Sequence, residues 1–326
     1  MDISVIVPAY NEDESIPELT AWIDRVCVSH KLSYEIIYID DGSTDNTWSV
    51  ITSLSVSNPA VKGISFRRNY GKAAALHIGF QSCSGNVVIT MDADMQDSPD
   101  EIPELYRMIT EEGYDLVSGW KKKRYDPFVK RFTSKIYNRT ARMASGIKLH
   151  DFNCGLKAYR KEVVKSIEVF GEMHRYIPML AKEAGFKNIG EKVVVHRARK
   201  YGKTKYGFSR FINGYLDLLT IGFITRFGKR PMHIFGLGGS LMFFIGFLMA
   251  LFLGIRKLNF ISQGIRAPLV TDSPYFYISL AVMIIGTLLF IAGFLGELIN
   301  RTSVDRNHYL VKDVTPDSGP FPGFDV

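Results

Sequence analysis

The chain has 326 residues, 46% of them hydrophobic and 22% charged, and this composition excludes a disordered chain and a small disulfide-stabilised scaffold. The net charge of +7 is unevenly spread: residues 1–115 carry 7 basic and 19 acidic side chains, residues 116–231 carry 27 and 8, and residues 232–326 carry 6 of each. The acidic first third excludes a general nucleic-acid binder, whereas the basic middle suits the phosphates of nucleotides, lipids or RNA.

Short apolar runs rich in β-branched residues alternate with helical stretches in the first part of the chain. Strands are predicted at residues 3–9, 34–40, 61–66 and 86–92, with helices near 16–28, 47–55 and 73–83. This alternation predicts an α/β domain with a mostly parallel sheet, in which ligands bind beyond the carboxyl ends of the strands. The chain contains neither GxGxxG nor GxxxxGK[ST], so a dinucleotide fingerprint and a P-loop are excluded as the phosphate-binding device.

Acidic residues follow two of the predicted strands, and basic segments follow two others. Asp40 and Asp41 end the second strand, and Asp92 and Asp94 follow the fourth in a DxD pattern. Two carboxylates at this spacing can bind one divalent cation while a diphosphate supplies further oxygens, and Gln96 can add a neutral ligand. The alternative for both acidic pairs is ordinary turn and N-cap chemistry, which Asp also serves after strands.

The basic middle contains two amphipathic stretches. Residues 128–145 read FVKRFTSKIYNRTARMAS, so a helix there would place an apolar face in the lipid headgroup layer and basic side chains toward phosphate. A second amphipathic segment spans residues 208–227, after the basic and aromatic run RKYGKTKYG at 199–207. The alternatives are a solvated helix face for the first stretch and simple attraction to anionic lipid for the basic run.

Two apolar runs, without charged residues apart from Glu297 at the end of the second, predict transmembrane helices at about 232–255 and 275–298. The alternative is a pair of buried helices in a soluble core. The start of the chain lacks the basic n-region of a signal peptide, and Lys and Arg flank the outer ends of the apolar pair. We therefore expect a multi-pass protein of the cytoplasmic membrane with both termini on the cytoplasmic side. The three cysteines are widely separated without a CxxC pair, which fits a reducing compartment.

Several ordered motifs then carry a resemblance to a known family. The segments SVIVPAYNE, IDDGSTD, RNYGKAAAL, DADMQD and RKYGKTKYG, followed by the apolar pair, resemble the polyprenyl-phosphate glycosyltransferases. These family 2 enzymes have the GT-A fold and include dolichyl-phosphate mannose synthase and bacterial undecaprenyl-phosphate glucosyltransferases. The resemblance implies inverting transfer of a sugar from a nucleoside diphosphate donor to polyprenyl phosphate, with Mg²⁺ or Mn²⁺ as cofactor. UDP-glucose is the first expectation for the donor, and GDP-mannose and an aminoarabinose nucleotide are the alternatives.

The same resemblance implies a division of the chain. Residues 1–205 would form the cytoplasmic GT-A catalytic domain, and residues 206–230 a juxtamembrane amphipathic helix. Residues 231–300 would hold the two transmembrane helices, and residues 301–326 a cytoplasmic tail. The glycine-rich spans and the resemblance together predict a homo-oligomer, with a tetramer as one form.

Site residues are carried over from the family motifs onto matching positions. Metal binding would fall to Asp92, Asp94 and Gln96, although Met95 stands where Leu is usual and Asp97 where His is frequent. The nucleotide would be held by a larger set near the strand ends: Pro8, Ala9, Tyr10, Glu12, Asp40, Asp41, Lys72, Asp92 and Ala93.

The remaining implied residues bind phosphate groups or act in catalysis. The donor diphosphate would contact Arg199, Lys203 and Lys205, and the lipid phosphate would contact Lys121, Arg124, Arg131 and Ser134. Asp94 and Asp151 are the implied catalytic residues. Asp151 would act as a base or only position the acceptor, and its alternative role is to cap the turn before FNCGLKAY.

Three other functions compete with the transferase. A processive polysaccharide synthase is disfavoured because the chain has no QxxRW motif and only two apolar runs. A non-catalytic sugar-nucleotide-binding membrane anchor would be expected to lack an acid from the strand ends, and both pairs are present. A lipid translocator would need a polar path, which two spans whose only charged residue, Glu297, lies at a span end do not offer.

Overall fold

The computed structural model describes residues 1–122, 138–139, 141–143, 145–171, 173–197, 200, 231–266, 268–302 and 311–314. The chain divides into two compact units, Met1–Gly222 with Asn307–Val326, and Phe223–Arg306. The predicted domain limits at residues 205 and 230 fall outside the described residues, so that division stays a prediction.

The described part of the first unit is built on one eight-stranded sheet. Its strands, in the order β7-β5-β6-β4-β1-β2-β3-β8, are β1 (Ile3–Ala9), β2 (Tyr34–Asp40), β3 (Val61–Phe66), β4 (Val87–Thr90), β5 (Leu116–Trp120), β6 (Lys157–Arg160), β7 (Ile189–Val193) and β8 (Val311–Val314). Strands β1 to β4 are mutually parallel, so their carboxyl ends lie at one edge. Strand β6 runs antiparallel between β4 and β5.

Helices cover both faces of this sheet and bury an apolar core. They are α1 (Ile16–Ser29), α2 (Thr47–Ser57), α3 (Lys72–Ser82), α4 (Ile102–Thr110), α5 (Lys161–Ser166) and α6 (Ile177–Glu183). The central strands read as continuous apolar runs because both of their faces are buried: Val5 and Val7 on one face of β1 and Ile6 on the other are fully inaccessible to solvent. This packing fixes the position of the strand ends that carry the acidic residues.

The sequence predictions for this part agree closely with the structure. The first three predicted strands have the observed bounds, and the predicted helices are shifted or shortened by one or two residues. The fourth strand is shorter than predicted, Val87–Thr90, because the chain leaves the ladder at Met91 and turns into the DxD segment. A mostly parallel α/β sheet is therefore confirmed.

The C-terminal segment adds a strand for which the sequence analysis makes no prediction. Val311–Val314, within the predicted tail of residues 301–326, pairs antiparallel with β3 and extends the sheet. A four-residue strand of this kind has no local signal stronger than its two valines, because its partner lies about 250 residues earlier in the chain.

The second unit contains two long apolar helices, α7 (Pro231–Ser262) and α8 (Pro274–Thr302). Both are long and apolar enough to cross a membrane, because the most apolar 18-residue stretches within Ile234–Ser262 and Pro274–Gly296 have mean hydropathies of 2.1 and 2.6. Helix α7 continues seven residues beyond the predicted end at Ile255. It stops where Gly264 adopts a φ of 72° and a Schellman motif forms, with the Ile265 N–H donating to the Phe260 carbonyl at 3.0 Å.

The two helices pack most closely at paired glycines. A Cβ on Gly286 would lie 2.6 Å from the Gly239 carbonyl oxygen, and one on Gly239 would lie 2.5 Å from the Gly286 carbonyl oxygen. Gly246 and Gly293 are similarly close to the facing helix, whereas a Cβ on Gly238 would meet no atom within 4 Å. Glycine at these positions allows the backbones to approach, which is the usual basis of helix association in membranes.

We expect Gly286→Leu to separate α7 from α8 and to destabilise the hairpin by about 1–3 kcal/mol, the usual cost of overpacking. Thermal unfolding of the full-length protein in detergent should show a lower midpoint for this variant. Gly238→Leu is the matched control, because the same side chain there enters open space. Equal shifts in the two variants would show that the Gly239–Gly286 contact does not hold the helices together.

Candidate active site

The carboxyl edge of the parallel strands brings together the acidic residues predicted from the sequence. Ala9 and Asp40 are paired in the ladder between β1 and β2, and the Asp41 N–H donates to the Ala9 carbonyl at 2.8 Å. The loop after β1 is bonded to the loop after β2, since the Asn11 side chain accepts from the Thr44 N–H at 2.8 Å and the Glu12 N–H donates to Thr47 Oγ1 at 2.9 Å. The two loops therefore form one joined wall.

The carboxylates of Asp40 and Asp41 are engaged within the protein. Asp40 accepts the Ser43 N–H at 3.0 Å and the Ser65 hydroxyl at 2.8 Å, and it is 2% exposed. Asp41 accepts the backbone N–H groups of Tyr70 at 2.7 Å and Gly71 at 2.9 Å, at the start of α3. Burial raises the pKa of Asp41 to about 6, against the lowering effect of these two N–H groups. Both acids thus hold the loops at this edge of the sheet in place. Contact of either acid with a nucleotide stays a prediction.

The DxD segment forms the centre of the edge. Asp92 forms an ion pair with Lys72 at the start of α3, and its side chain is 34% exposed. Burial alone would raise the pKa of Asp92, but the charges of Lys72 and Lys121 lower it to about 2. Asp92 is therefore ionised at neutral pH, and α3 links it to the loop that Asp41 holds.

Asp94 and Gln96 follow in a tight turn. The Gln96 N–H donates to the Asp94 carboxylate at 3.2 Å, and Met95 between them has a φ of 61°. A left-handed backbone is uncommon for a residue with a side chain, and such residues are enriched at functional sites. The conformation leaves Asp92, Asp94 and Gln96 partly exposed while Ala93 and Met95 are buried.

The donor set at this turn fits a hard divalent cation. Two carboxylates two residues apart and a side-chain amide supply the oxygen ligands that Mg²⁺ and Mn²⁺ prefer. In the described part of the chain no group of three His, Cys, Asp or Glu residues stands together to bind a metal. The residues present therefore suit an ion that also binds oxygens of a substrate and water.

Lys121 lies beside this turn. It was assigned to the lipid phosphate, but its ammonium is 2.7 Å from the carboxylate of Asp97, which is fully buried. Burial would lower the pKa of Lys121, and the attraction of Asp97 instead raises it well above its usual value. In the structure Lys121 is thus a partly buried partner of the DxD turn, and a role toward the lipid phosphate stays a prediction.

Asp151 is buried rather than open to a substrate in this structure. Its exposed fraction is 0%, its carboxylate accepts the Asn153 N–H at 3.0 Å, and its own N–H donates to Glu191 at 3.1 Å. This is the turn-capping geometry that was the alternative for Asp151. Its loop nevertheless reaches the site, because a Cβ on Gly155 would lie 2.5 Å from the Asp92 carboxylate.

Most of the predicted phosphate-binding residues lie outside the described residues. They are Arg124, Arg131, Ser134, Arg199, Lys203 and Lys205. The segment just before Arg199 is described and lies against the DxD turn, since the Arg197 N–H donates to the Gln96 carbonyl at 2.9 Å. The Arg197 guanidinium stacks over Trp22 at 4.2 Å from the ring centre, so this segment is anchored to α1.

Sequence reasoning missed a second group of basic residues beside Asp92. A small cavity is lined by Lys72, Lys157, His174 and Arg175 together with Thr90, Asn153 and Gly155. We call the four basic residues the basic pocket. Lys157 reaches the site because β6 inserts antiparallel beside β4, and Arg175 lies in a separate 3₁₀ turn, Met173–Arg175, that also lines the cavity. No pattern in the sequence indicates that placement.

Comparison with known proteins also indicates a glycosyltransferase. The glycosyl transferase family 2 model matches residues 4–168. The chain is 32% identical over 323 residues to dodecaprenyl-phosphate galacturonate synthase of Rhizobium johnstonii, covering 97% of this chain and 94% of the relative. It is 36% identical over 317 residues to undecaprenyl-phosphate 4-deoxy-4-formamido-L-arabinose transferase of Shewanella sediminis, covering 96% and 92%.

Solved structures share the fold. Mannosyl-3-phosphoglycerate synthase from Rubrobacter xylanophilus has a TM-score of 0.56 at 15% identity, covering 69% of this chain and 75% of that one. Glucosyl-3-phosphoglycerate synthase from Mycobacterium tuberculosis, in complex with Mn²⁺ and UDP-glucose, has a TM-score of 0.54 at 21% identity, covering 69% and 78%. The first unit therefore has the GT-A architecture expected from the sequence.

Proposed function

The chain belongs to glycosyl transferase family 2 and is a polyprenyl-phosphate glycosyltransferase, and we propose that it joins the anomeric carbon of a nucleotide-activated sugar to the phosphate of the lipid with inversion. The observation that carries the proposal is the DxD turn. Asp92 is ionised there, in an ion pair with Lys72 and under the electrostatic influence of Lys121, and Asp94 and Gln96 are partly exposed beside it. A site that must bind a diphosphate needs this combination of fixed carboxylates and nearby positive charge.

The reaction breaks the bond between the anomeric carbon and the donor diphosphate. Negative charge then builds up on the leaving diphosphate, and the positive charges of Lys72 and Lys121 stabilise it at this edge. Arg199, Lys203 and Lys205 are proposed to close over the same group. A bound Mg²⁺ or Mn²⁺, held by Asp92, Asp94 and Gln96, would supply Lewis-acid stabilisation of that charge.

The nucleophile is an oxygen of the lipid phosphate. A phosphate monoester is already anionic at neutral pH, so the reaction does not need a strong general base. The buried position of Asp151 suits this chemistry, because its proposed role is to hold the 151–155 loop against Asp92. Arg124, Arg131 and Ser134 are proposed to hold the lipid phosphate.

The partners and location follow from the same proposal. The two apolar helices anchor the enzyme in the cytoplasmic membrane as a hairpin, with the catalytic unit and both termini on the cytoplasmic side. A polyprenyl lipid is then available in the same membrane. A homo-oligomer, with a tetramer as one form, is proposed for the assembled enzyme.

The donor sugar is the open part of the proposal. UDP-glucose was the expectation from the sequence, whereas the names of the relatives contain galacturonate and formamido-arabinose. A donor panel should therefore contain neutral hexoses, hexuronic acids and amino sugars on UDP, with GDP-mannose beside them.

The test is transfer of radiolabelled sugar from this panel into undecaprenyl phosphate by the full-length protein in detergent. We expect organic-extractable label from one class of donor in the presence of Mg²⁺ or Mn²⁺, and its loss in EDTA. Undecaprenol, which lacks the phosphate, is the acceptor control and should remain unlabelled. Nucleotide-sugar binding without lipid labelling from any donor would instead support the non-catalytic membrane anchor.

A further inference from the structure

The basic pocket contains more positive than negative charge. Lys157 is only 4% exposed, and its ammonium donates to the Cys154 carbonyl rather than to an acid. Among the described residues no carboxylate forms an ion pair with Lys157 or with the half-buried Arg175. Asp92 forms an ion pair with Lys72 and also attracts Lys121 and Lys157, so one negative charge is shared among three cations. Burying cations without a partner is costly, so such a cluster is typical of a site that receives an anion.

The pKa directions agree with this shortage of negative charge. Burial lowers the pKa of Lys157 and the charge of Lys72 adds to this effect, which outweighs the raising influence of Cys154, Asp151 and Asp92. Burial also brings the pKa of His174 well below its usual value, with Lys72 and Arg175 adding to the effect. An anion bound among these groups would reverse both shifts.

The position of the pocket limits what the anion can be. Its wall includes Lys72, which pairs with Asp92, and Gly155, whose Cα faces the Asp92 carboxylate. The Thr90 hydroxyl donates to the Gly155 carbonyl at 2.8 Å and fixes that wall. The donor diphosphate would bind at Asp92, so a part of the donor that enters the pocket lies next to the diphosphate. Of the two groups joined to the diphosphate, the ribose is neutral and only the sugar can carry an anionic group.

We propose that the basic pocket binds the carboxylate of a hexuronic acid carried by the nucleotide donor. The planar guanidinium of Arg175 matches a carboxylate with two parallel hydrogen bonds, and Lys157 adds a buried point charge. The proposal rests on the proposed transferase function and narrows its donor class. The same anion chemistry would also suit the lipid phosphate, so the experiment separates these two sources.

The test compares binding of two sugar nucleotides that differ only at carbon 6. Calorimetry on the full-length protein in detergent with Mn²⁺ would measure Kd for UDP-galacturonate and for UDP-galactose. We expect the wild-type Kd for UDP-galacturonate to be about tenfold or more below that for UDP-galactose. This difference corresponds to the free energy of one charge-assisted hydrogen bond. In Arg175→Gln and in Lys157→Gln this ratio should fall toward one, and in Lys187→Gln, an exposed control, it should be unchanged.

The other outcomes overturn either the uronate proposal or the transferase function on which it rests. A wild-type ratio of the two Kd values near one rejects the uronate as the ligand. An unchanged ratio in Arg175→Gln, with thermal unfolding showing that this variant is folded, rejects it as well. If Arg175→Gln instead raises KM for undecaprenyl phosphate at an unchanged donor ratio, the pocket binds the lipid phosphate. If neutral sugars label the lipid and the Kd ratio is near one, the uronate proposal is rejected and the transferase function is retained. If the Kd ratio favours the uronate but no donor labels the lipid, the transferase function is rejected and the carboxylate-binding role of the pocket is retained.

Discussion

Replacing Asp94 by alanine is expected to lower the rate of sugar transfer about 10²–10³-fold, the usual cost of removing one group that stabilises transition-state charge. Asp92 already pairs with Lys72, so Asp94 supplies the second carboxylate for a divalent cation at the DxD turn. The reduced activity should also need a higher Mn²⁺ concentration for its half-maximal rate. Initial rates of lipid labelling across a Mn²⁺ titration would measure both effects.

The matched control for Asp94→Ala is Glu111→Ala, which removes an exposed carboxylate just beyond α4. It should retain the wild-type rate and the wild-type Mn²⁺ dependence. An Asp94→Ala enzyme with an unaltered rate and unaltered Mn²⁺ requirement would remove the DxD turn from the catalytic site. Thermal unfolding of both variants separates a catalytic loss from a folding defect.

Gly155→Ala should reduce transfer about 10²-fold, because a displacement of about 1 Å in a catalytic group can have that effect. The new Cβ would lie 2.5 Å from the Asp92 carboxylate oxygen and 2.7 Å from its carboxyl carbon. Contacts below 3.0 Å require something to shift, and the Thr90 hydrogen bond holds the Gly155 backbone in place. Asp92 is therefore the group that moves. Steady-state kinetics of the purified variant would measure the loss in kcat.

Gly254→Ala provides the comparison for Gly155→Ala, because a Cβ on Gly254 would meet no atom within 4 Å. Its kinetics should equal those of the wild type. If Gly155→Ala were also fully active, the 151–155 loop would have to lie further from Asp92 than the structure places it.

The acidic edge was predictable because each of its parts has a local signal. The strands are continuous apolar runs, and the acids follow them directly in the chain, so the parallel order alone brings Asp40, Asp41, Asp92 and Asp94 to one edge. The DxD spacing indicated its own chemistry. The turn chemistry given as the alternative is also observed, since Asp40 accepts the Ser43 N–H. What the sequence did not indicate is that Asp41 holds the distant start of α3 through the Tyr70 and Gly71 N–H groups.

The parts that sequence reasoning missed depend on connections between distant segments. Strand β6 enters antiparallel between β4 and β5, and this places Lys157 beside Asp92 although 65 residues separate them. The ion pair between Lys121 and Asp97 arises in the same way, from the crossover that returns β5 to the sheet. Local periodicity contains no information about such crossovers, so these contacts become visible only in the folded chain.

The most direct test of the central claim is the mass of the lipid product, measured together with the nucleotide released. Transfer of the sugar alone predicts a polyprenyl monophosphate sugar with one phosphorus atom, and one nucleoside diphosphate released for each lipid formed. A lipid with two phosphorus atoms and release of a nucleoside monophosphate would contradict the account, because the bond broken would then lie within the diphosphate rather than at the anomeric carbon.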